Sequence, residues 1–167
     1  MPRVCQGAGA RYINKMRVTS QLLCRVLTEC FEHRASLNPR SVIAAPKGHE
    51  GMERCCLEFH GTRKGWMTLA LEPAIAKALA TRLPAQAPAK GTARRDWACR
   101  EMLRIICVDF LAAISRDGHV FDIAACQRPP IQPAGTTCRT LDARITFDIG
   151  QACVTCVLVT KKRAPAK

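Results

Sequence analysis

Residues Asp96 to Arg116 read DWACREMLRIICVDFLAAISR. The stretch holds no Pro or Gly and is predicted to form one long helix, with Asp96 as N-cap or first-turn acid and Arg116 in the last turn. Met102, Leu103, Ile106, Phe110, Leu111 and Ile114 recur at three- and four-residue steps, which gives a broad apolar face. Trp97, Glu101, Arg104 and Val108 fall above one another on a second face, at i, i+4, i+7 and i+11. That face sets a carboxylate and a guanidinium in the middle of a greasy helix. Such a pair either closes on itself as an i, i+3 salt bridge, contributing about 0.2–0.5 kcal/mol on an exposed surface, or meets a partner molecule.

Outward from this helix the chain alternates between the two periodicities. Residues 1–13 contain Gly and Arg and are expected to be disordered. Asn14 is placed to cap a first helix over about 15–33, with Val18, Leu22, Val26 and Cys30 on one stripe and Leu23, Leu27 and Phe31 beside it. Asn38-Pro39 ends that helix, and Ser41 to Ala45 fits a short strand. Arg54 to His60 reads as a strand with Cys55, Leu57 and Phe59 on one side. Gly61 to Gly65 is a hairpin loop, and Trp66 to Leu71 returns with Met67, Leu69 and Leu71 inward. Pro73 suits the first turn of a helix that ends near Leu83-Pro84. Residues 84–95, PAQAPAKGTARR, read as a linker with little structure. After Asp117-Gly118 come strands at Val120 to Cys126, Leu141 to Ile149 and Ala152 to Thr160. In the second of these Leu141, Ala143, Ile145, Phe147 and Ile149 alternate with polar residues. This order argues for one α+β domain, 14–160, with an antiparallel sheet and the helices, including the long one, packed on one face. A basic tail, 161–167, follows.

At 167 residues the chain is long enough for a sizeable core, and 48% hydrophobic residues argue against global disorder. Aromatics are only 5%, so that core is aliphatic, Ala and Cys. The formal charge of +13 favours an acidic partner. Much of the excess sits in the ends and the linker (Arg3, Arg11, Lys15, Lys90, Arg94, Arg95, Lys161, Lys162, Arg163), where charge commonly serves solubility. A basic nucleic-acid binder is the rival reading, though the linker and tail lack the interleaved aromatics that stack single strands. No apolar run approaches 18 residues, so no membrane span is expected. The opening MPRVCQGAGARYINK has no apolar signal core, which points to a cytoplasmic protein. The 11 cysteines are odd in number and many stand where aliphatics belong, so they read as reduced, buried small hydrophobes. Cys153 and Cys156 have CxxC spacing, but on a strand residues three apart point to opposite faces, so no redox or zinc site is expected there. Cys55, Cys56 and His60 lack a second ligand pair at finger spacing.

The row Glu101-Met102-Leu103-Arg104-Ile105-Ile106, together with the element order, resembles the CheX/CheC/FliY family of chemotaxis phosphatases. The resemblance runs from about Asn14 to about Val159. It implies an α+β fold with antiparallel strands in one layer. It also implies a partner, a phosphorylated CheY-like response regulator whose aspartyl phosphate the family hydrolyses. In the family a Glu on the long helix engages the regulator's active-site Lys, and an Asn three residues later orients the attacking water. The Glu matches Glu101. The Asn position is Arg104, and a guanidinium donates hydrogen bonds but accepts none. The candidate catalytic pair is therefore Glu101 and Arg104, with the amide function missing. Trp97 departs from the Asp or Ser that the family often shows there, and Asp109 stands where some relatives have Asn. The resemblance implies no cofactor of this chain's own, Mg being carried by the regulator, and a homodimer formed through sheet edges. A non-catalytic interaction domain of the same fold is the alternative that the Arg104 departure leaves open.

Overall fold

The computed structural model describes residues 7–39, 41–42, 51–61, 64–83, 90–115, 121–125, 139–149 and 152–161. Three helices and six strands follow one another as α1 (Gly7–Ala35), β1 (Ser41–Val42), β2 (Glu53–His60), β3 (Lys64–Leu71), α2 (Pro73–Arg82), α3 (Gly91–Ile114), β4 (Asp122–Ala125), β5 (Arg139–Ile149) and β6 (Ala152–Lys161). The strands form one sheet in the order β1-β5-β6-β3-β2-β4, and every pairing in it is antiparallel.

The α+β reading holds. Leu57 and Phe59 of β2, Met67, Leu69 and Leu71 of β3, and Ile145 and Ile149 of β5 meet helical residues in a single core. The helical side of that core is Leu23, Leu27 and Phe31 of α1, Ile75, Ala76 and Leu79 of α2, and Met102, Leu103, Ile106 and Phe110 of α3. All three helices therefore lie on one face of the sheet, α1 against β5, α2 against β6 and β3, and α3 against β2 and β3. Each fully buried Leu or Ile here contributes about 1.5–3 kcal/mol relative to an exposed position.

Local chemistry sets the helix ends. Pro73 occupies the first turn of α2, where its missing N–H costs nothing. The helix stops at Leu83, which precedes Pro84 and is extended, with ψ 145°. α1 ends on Ser36, whose φ of +50° is left-handed. The Ser36 N–H reaches Glu32 O at 3.1 Å and the Leu37 N–H reaches Phe31 O at 2.9 Å. Two carbonyls at this end, Ala35 O and Ser36 O, accept from Arg82 Nη1 of α2 at 2.9 and 2.6 Å.

Three expectations need correction. α1 begins at Gly7, so 7–13 are helical rather than disordered and Asn14 is an interior residue, not a cap. An established 29-residue helix propagates at little cost per added residue, and Ala, Arg and Tyr do not oppose it. α3 begins at Gly91, so the last five residues of the supposed linker are helical and Asp96 is not the cap. Gly91 has φ +76°, a conformation natural to glycine, and this is where the chain turns into the helix. The alternation in β5 is broken: Leu141 pairs with Val159 and Ala143 with Leu158, so Asp142 is an extra residue in a bulge. Leu141 consequently falls in the register row of Val159 and Trp66, and Ala143 in the row of Leu158 and Met67. The strand expected over Ser41 to Ala45 is described only at Ser41–Val42; residues 43–45 lie outside the described residues, as do 1–6, most of the 84–95 linker before Lys90, and the tail beyond Lys161.

Candidate functional site

α3 is a 24-residue rod with two unlike sides. Met102, Leu103, Ile106 and Cys107 are fully buried, and Phe110 and Leu111 nearly so. On the opposite side Arg100, Arg104, Val108 and Ala112 are exposed and Glu101 and Ile105 are half-buried. Trp97, at the N-terminal end of this second side, leans in and packs against the core. The face that carries Glu101 and Arg104 is thus turned away from the protein's own sheet.

Glu101 and Arg104 do close on each other. Arg104 Nε donates to Glu101 Oε2 at 2.8 Å and Arg104 Nη2 to Glu101 Oε1 at 2.6 Å, a bidentate fork. The Arg104 side chain stays 56% exposed and that of Glu101 26%. Hydrogen bonding from Arg104 is the main cause holding the Glu101 carboxyl below its ordinary pKa; the same bond raises that of Arg104. Both oxygens of Glu101 accept from Arg104, whereas Arg104 commits two of its five N–H groups. Each carboxylate oxygen is engaged once, and the guanidinium has three N–H donors left over.

The first turns of α3 use their charges differently. Arg94 Nε donates to Ala80 O near the end of α2 at 2.6 Å. Arg95 Nη1 lies 3.2 Å from Glu53 Oε1 at the start of β2. The Cys99 thiol donates to Glu53 Oε2 at 3.8 Å, and the Cys55 thiol to Cys99 O at 3.3 Å. Farther along, the Cys30 thiol of α1 donates to Asp109 Oδ2 at 3.5 Å. Arg94 and Arg95, expected to be solubility charge, instead fasten α3 to α2 and β2. The sequence offered no sign of this, because their partners sit on other elements. Arg100 was also passed over, although its place one turn before Arg104 is readable as i, i+4 spacing.

The thiols behave as buried hydrophobes. Burial, aided by a neighbouring acid in the first two cases, pushes Cys30, Cys99 and Cys107 up to about 12. Cys24, Cys30, Cys55, Cys56, Cys99 and Cys107 take part in no disulfide. Among the described residues no group of three or more His, Cys, Asp or Glu is placed to hold a metal ion, and no helix is long and apolar enough to cross a membrane.

No family model matches the sequence, and no curated protein matches it significantly. Solved structures do. The chemotaxis protein CheX from Desulfovibrio desulfuricans superposes with a TM-score of 0.63 at 13% identity, over 86% of this chain and 99% of the other. The chain has the CheX fold. A chain of the CheX–CheY–BeF3–Mg2+ complex from Borrelia burgdorferi gives 0.59 at 12% identity, covering 85% of this chain and 97% of that one. CheX from Vibrio vulnificus gives 0.58 at 13%, covering 86% and 96%. The fold expected from the long-helix row is therefore the fold observed, with almost no help from residue identity.

Proposed function

We propose that this protein is a CheX-like signalling protein that docks the outward side of α3 on a phosphorylated CheY-like response regulator. One observation carries the reading: the Glu101–Arg104 face is open to solvent instead of being covered by the protein's own sheet. Support also comes from the fold, since one structure that shares it is a CheX–CheY complex. Val108, 41% exposed one turn beyond Arg104, adds an apolar contact to the charged pair.

Binding is the activity assigned; turnover is not. The resemblance asks for an amide at position 104 to donate to and accept from the attacking water, and Arg104 accepts nothing. Self-association through sheet edges belongs to the same proposal. The sheet is bordered by β1 and β4, of two and four residues, and an edge strand presents unpaired backbone groups. Solution mass of the purified chain decides that point, a monomer at micromolar concentration removing it.

The docking reading is tested by titrating the chain with each CheY-like receiver domain of its source organism, loaded with BeF3 and Mg2+. One receiver is expected to bind, and Val108→Asp to weaken that binding at least tenfold while leaving the thermal melt unchanged, about the size of losing one well-placed contact. Binding that is indifferent to Val108→Asp moves the interface elsewhere, and failure of every receiver to bind removes the assignment.

A further inference from the structure

Arg100, Arg104 and Val108 follow one another at i, i+4 and i+8 on the exposed side of α3, so two guanidiniums and an apolar side chain occupy successive turns. Among the described residues no hydrogen bond or ion pair involves Arg100. Arg104 is different from a free surface arginine. Its fork to Glu101 fixes the plane of the guanidinium and leaves its remaining N–H groups pointing away from the carboxylate. A planar, pre-oriented guanidinium with a second cation beside it suits a tetrahedral oxyanion, which takes parallel N–H donors.

Resting on the docking reading above, we infer that Arg104, held by Glu101 and flanked by Arg100, receives the phosphoryl oxygens of the partner's aspartyl phosphate, so that the domain shields this group instead of removing it. Arginine donors by themselves speed phosphoryl transfer when another residue orients the attacking water. Here that second function is missing. The nearest side-chain acceptor on α3 is Glu101, each of whose oxygens already accepts one hydrogen bond from Arg104 and is held against the guanidinium. Asp96 is eight residues before Arg104, roughly 12 Å along the axis. Asp109 is five residues after it, roughly 140° round the helix, and accepts from Cys30. A phosphoryl group seated on Arg104 is thus gripped by donors, and among the described residues of α3 the one side-chain acceptor beside it is a carboxylate held by that same arginine, with no amide to aim a water in line. Glu101 is a positioning residue in this arrangement; it touches Arg104, not the phosphate.

The test uses the full chain and the receiver that binds it, in bare and BeF3–Mg2+ forms, and follows the decay of that receiver's radiolabelled aspartyl phosphate. The chain is expected to bind the BeF3 form about tenfold or more tighter than the bare form, the worth of a charge-assisted hydrogen bond, and to slow phosphoryl loss. Arg104→Leu and Arg100→Ala are expected to weaken binding of the BeF3 form more than that of the bare form, and so to narrow that ratio. Glu101→Gln, which keeps shape but loosens the fork, is expected to narrow it less. Equal affinity for the two forms, with docking preserved, overturns the inference and leaves the docking reading standing. So does faster phosphoryl loss with the unaltered chain. A fall in bare binding on Glu101→Gln overturns the positioning role. Absence of binding to either form removes both readings together.

Discussion

The two sides of α3 lie one helix diameter apart and are built to opposite rules. Inward, Met102, Leu103 and Ile106 have no exposed surface, and each is fixed by neighbours from other elements. Outward, Arg100, Arg104 and Val108 are exposed and Glu101 is half-buried, and among the described residues the one ion pair of this group is intrahelical. The difference teaches where this domain keeps its stability and where it leaves chemistry free. It also separates two kinds of arginine on one helix. Arg94 and Arg95 are joined to α2 and β2; among the described residues Arg100 and Arg104 make no hydrogen bond or ion pair beyond α3.

Substitutions on each side sharpen this contrast, and their effects fall in a definite order. Ile106→Ala removes a fully buried side chain and is expected to cost about 2–5 kcal/mol of unfolding free energy, read by denaturant titration; a loss below 1 kcal/mol breaks the comparison. Arg94→Ala and Arg95→Ala delete charge-assisted ties between elements and are expected to cost roughly 1–3 kcal/mol each, larger than any arginine on the outer side. Arg104→Asn supplies the missing amide. Its stability change is expected within about 0.5 kcal/mol, yet with a bound receiver it should turn slowed phosphoryl loss into accelerated loss. A tested receiver showing no acceleration separates the docking surface from the family chemistry.

The smallest effect concerns pH. Glu101 has a lowered carboxyl pKa in the folded protein, chiefly through its hydrogen bond from Arg104. Its contribution is therefore complete above the unfolded carboxylate range and is lost as pH falls through the lowered folded value. Because Arg104 is largely exposed, that contribution is only a few tenths of a kcal/mol, roughly 0.2–0.5. Glu101→Gln should reduce stability by that amount at neutral pH and by nothing at strongly acid pH. An equal loss at both ends assigns the effect to packing, and chemical denaturation at a series of pH values distinguishes the two.

Much of this architecture was legible from pattern. Pro73 announced α2, and strict alternation announced β2 and β3 to within about two residues. The i, i+3 spacing of Glu101 and Arg104 announced their meeting. Less visible was anything that depends on distant partners. Arg94 looks like linker charge until Ala80 O is placed beside it, and Glu53 looks like a strand-end acid until Arg95 reaches it. The bulge at Asp142 left no trace, because the apolar residues of 141–149 alternate across it as though the strand were regular. Gly7 and Gly9 mimic disorder by composition, while helix continuation through them is decided by chain length and neighbours. What could not be read was the direction of the outward face, since periodicity gives relative phase and not which side meets the sheet.

The arginine on each later helix that closes the end of the earlier one has a consequence for biosynthesis. Arg82 of α2 donates to the carbonyls where α1 stops, and Arg94 of α3 donates to α2 in its last turn. A nascent chain leaving the ribosome therefore meets each of these two contacts only after the segment it closes has emerged. Translation order and latching order coincide, and a stall between residues 83 and 93 would leave α2 still waiting for its donor.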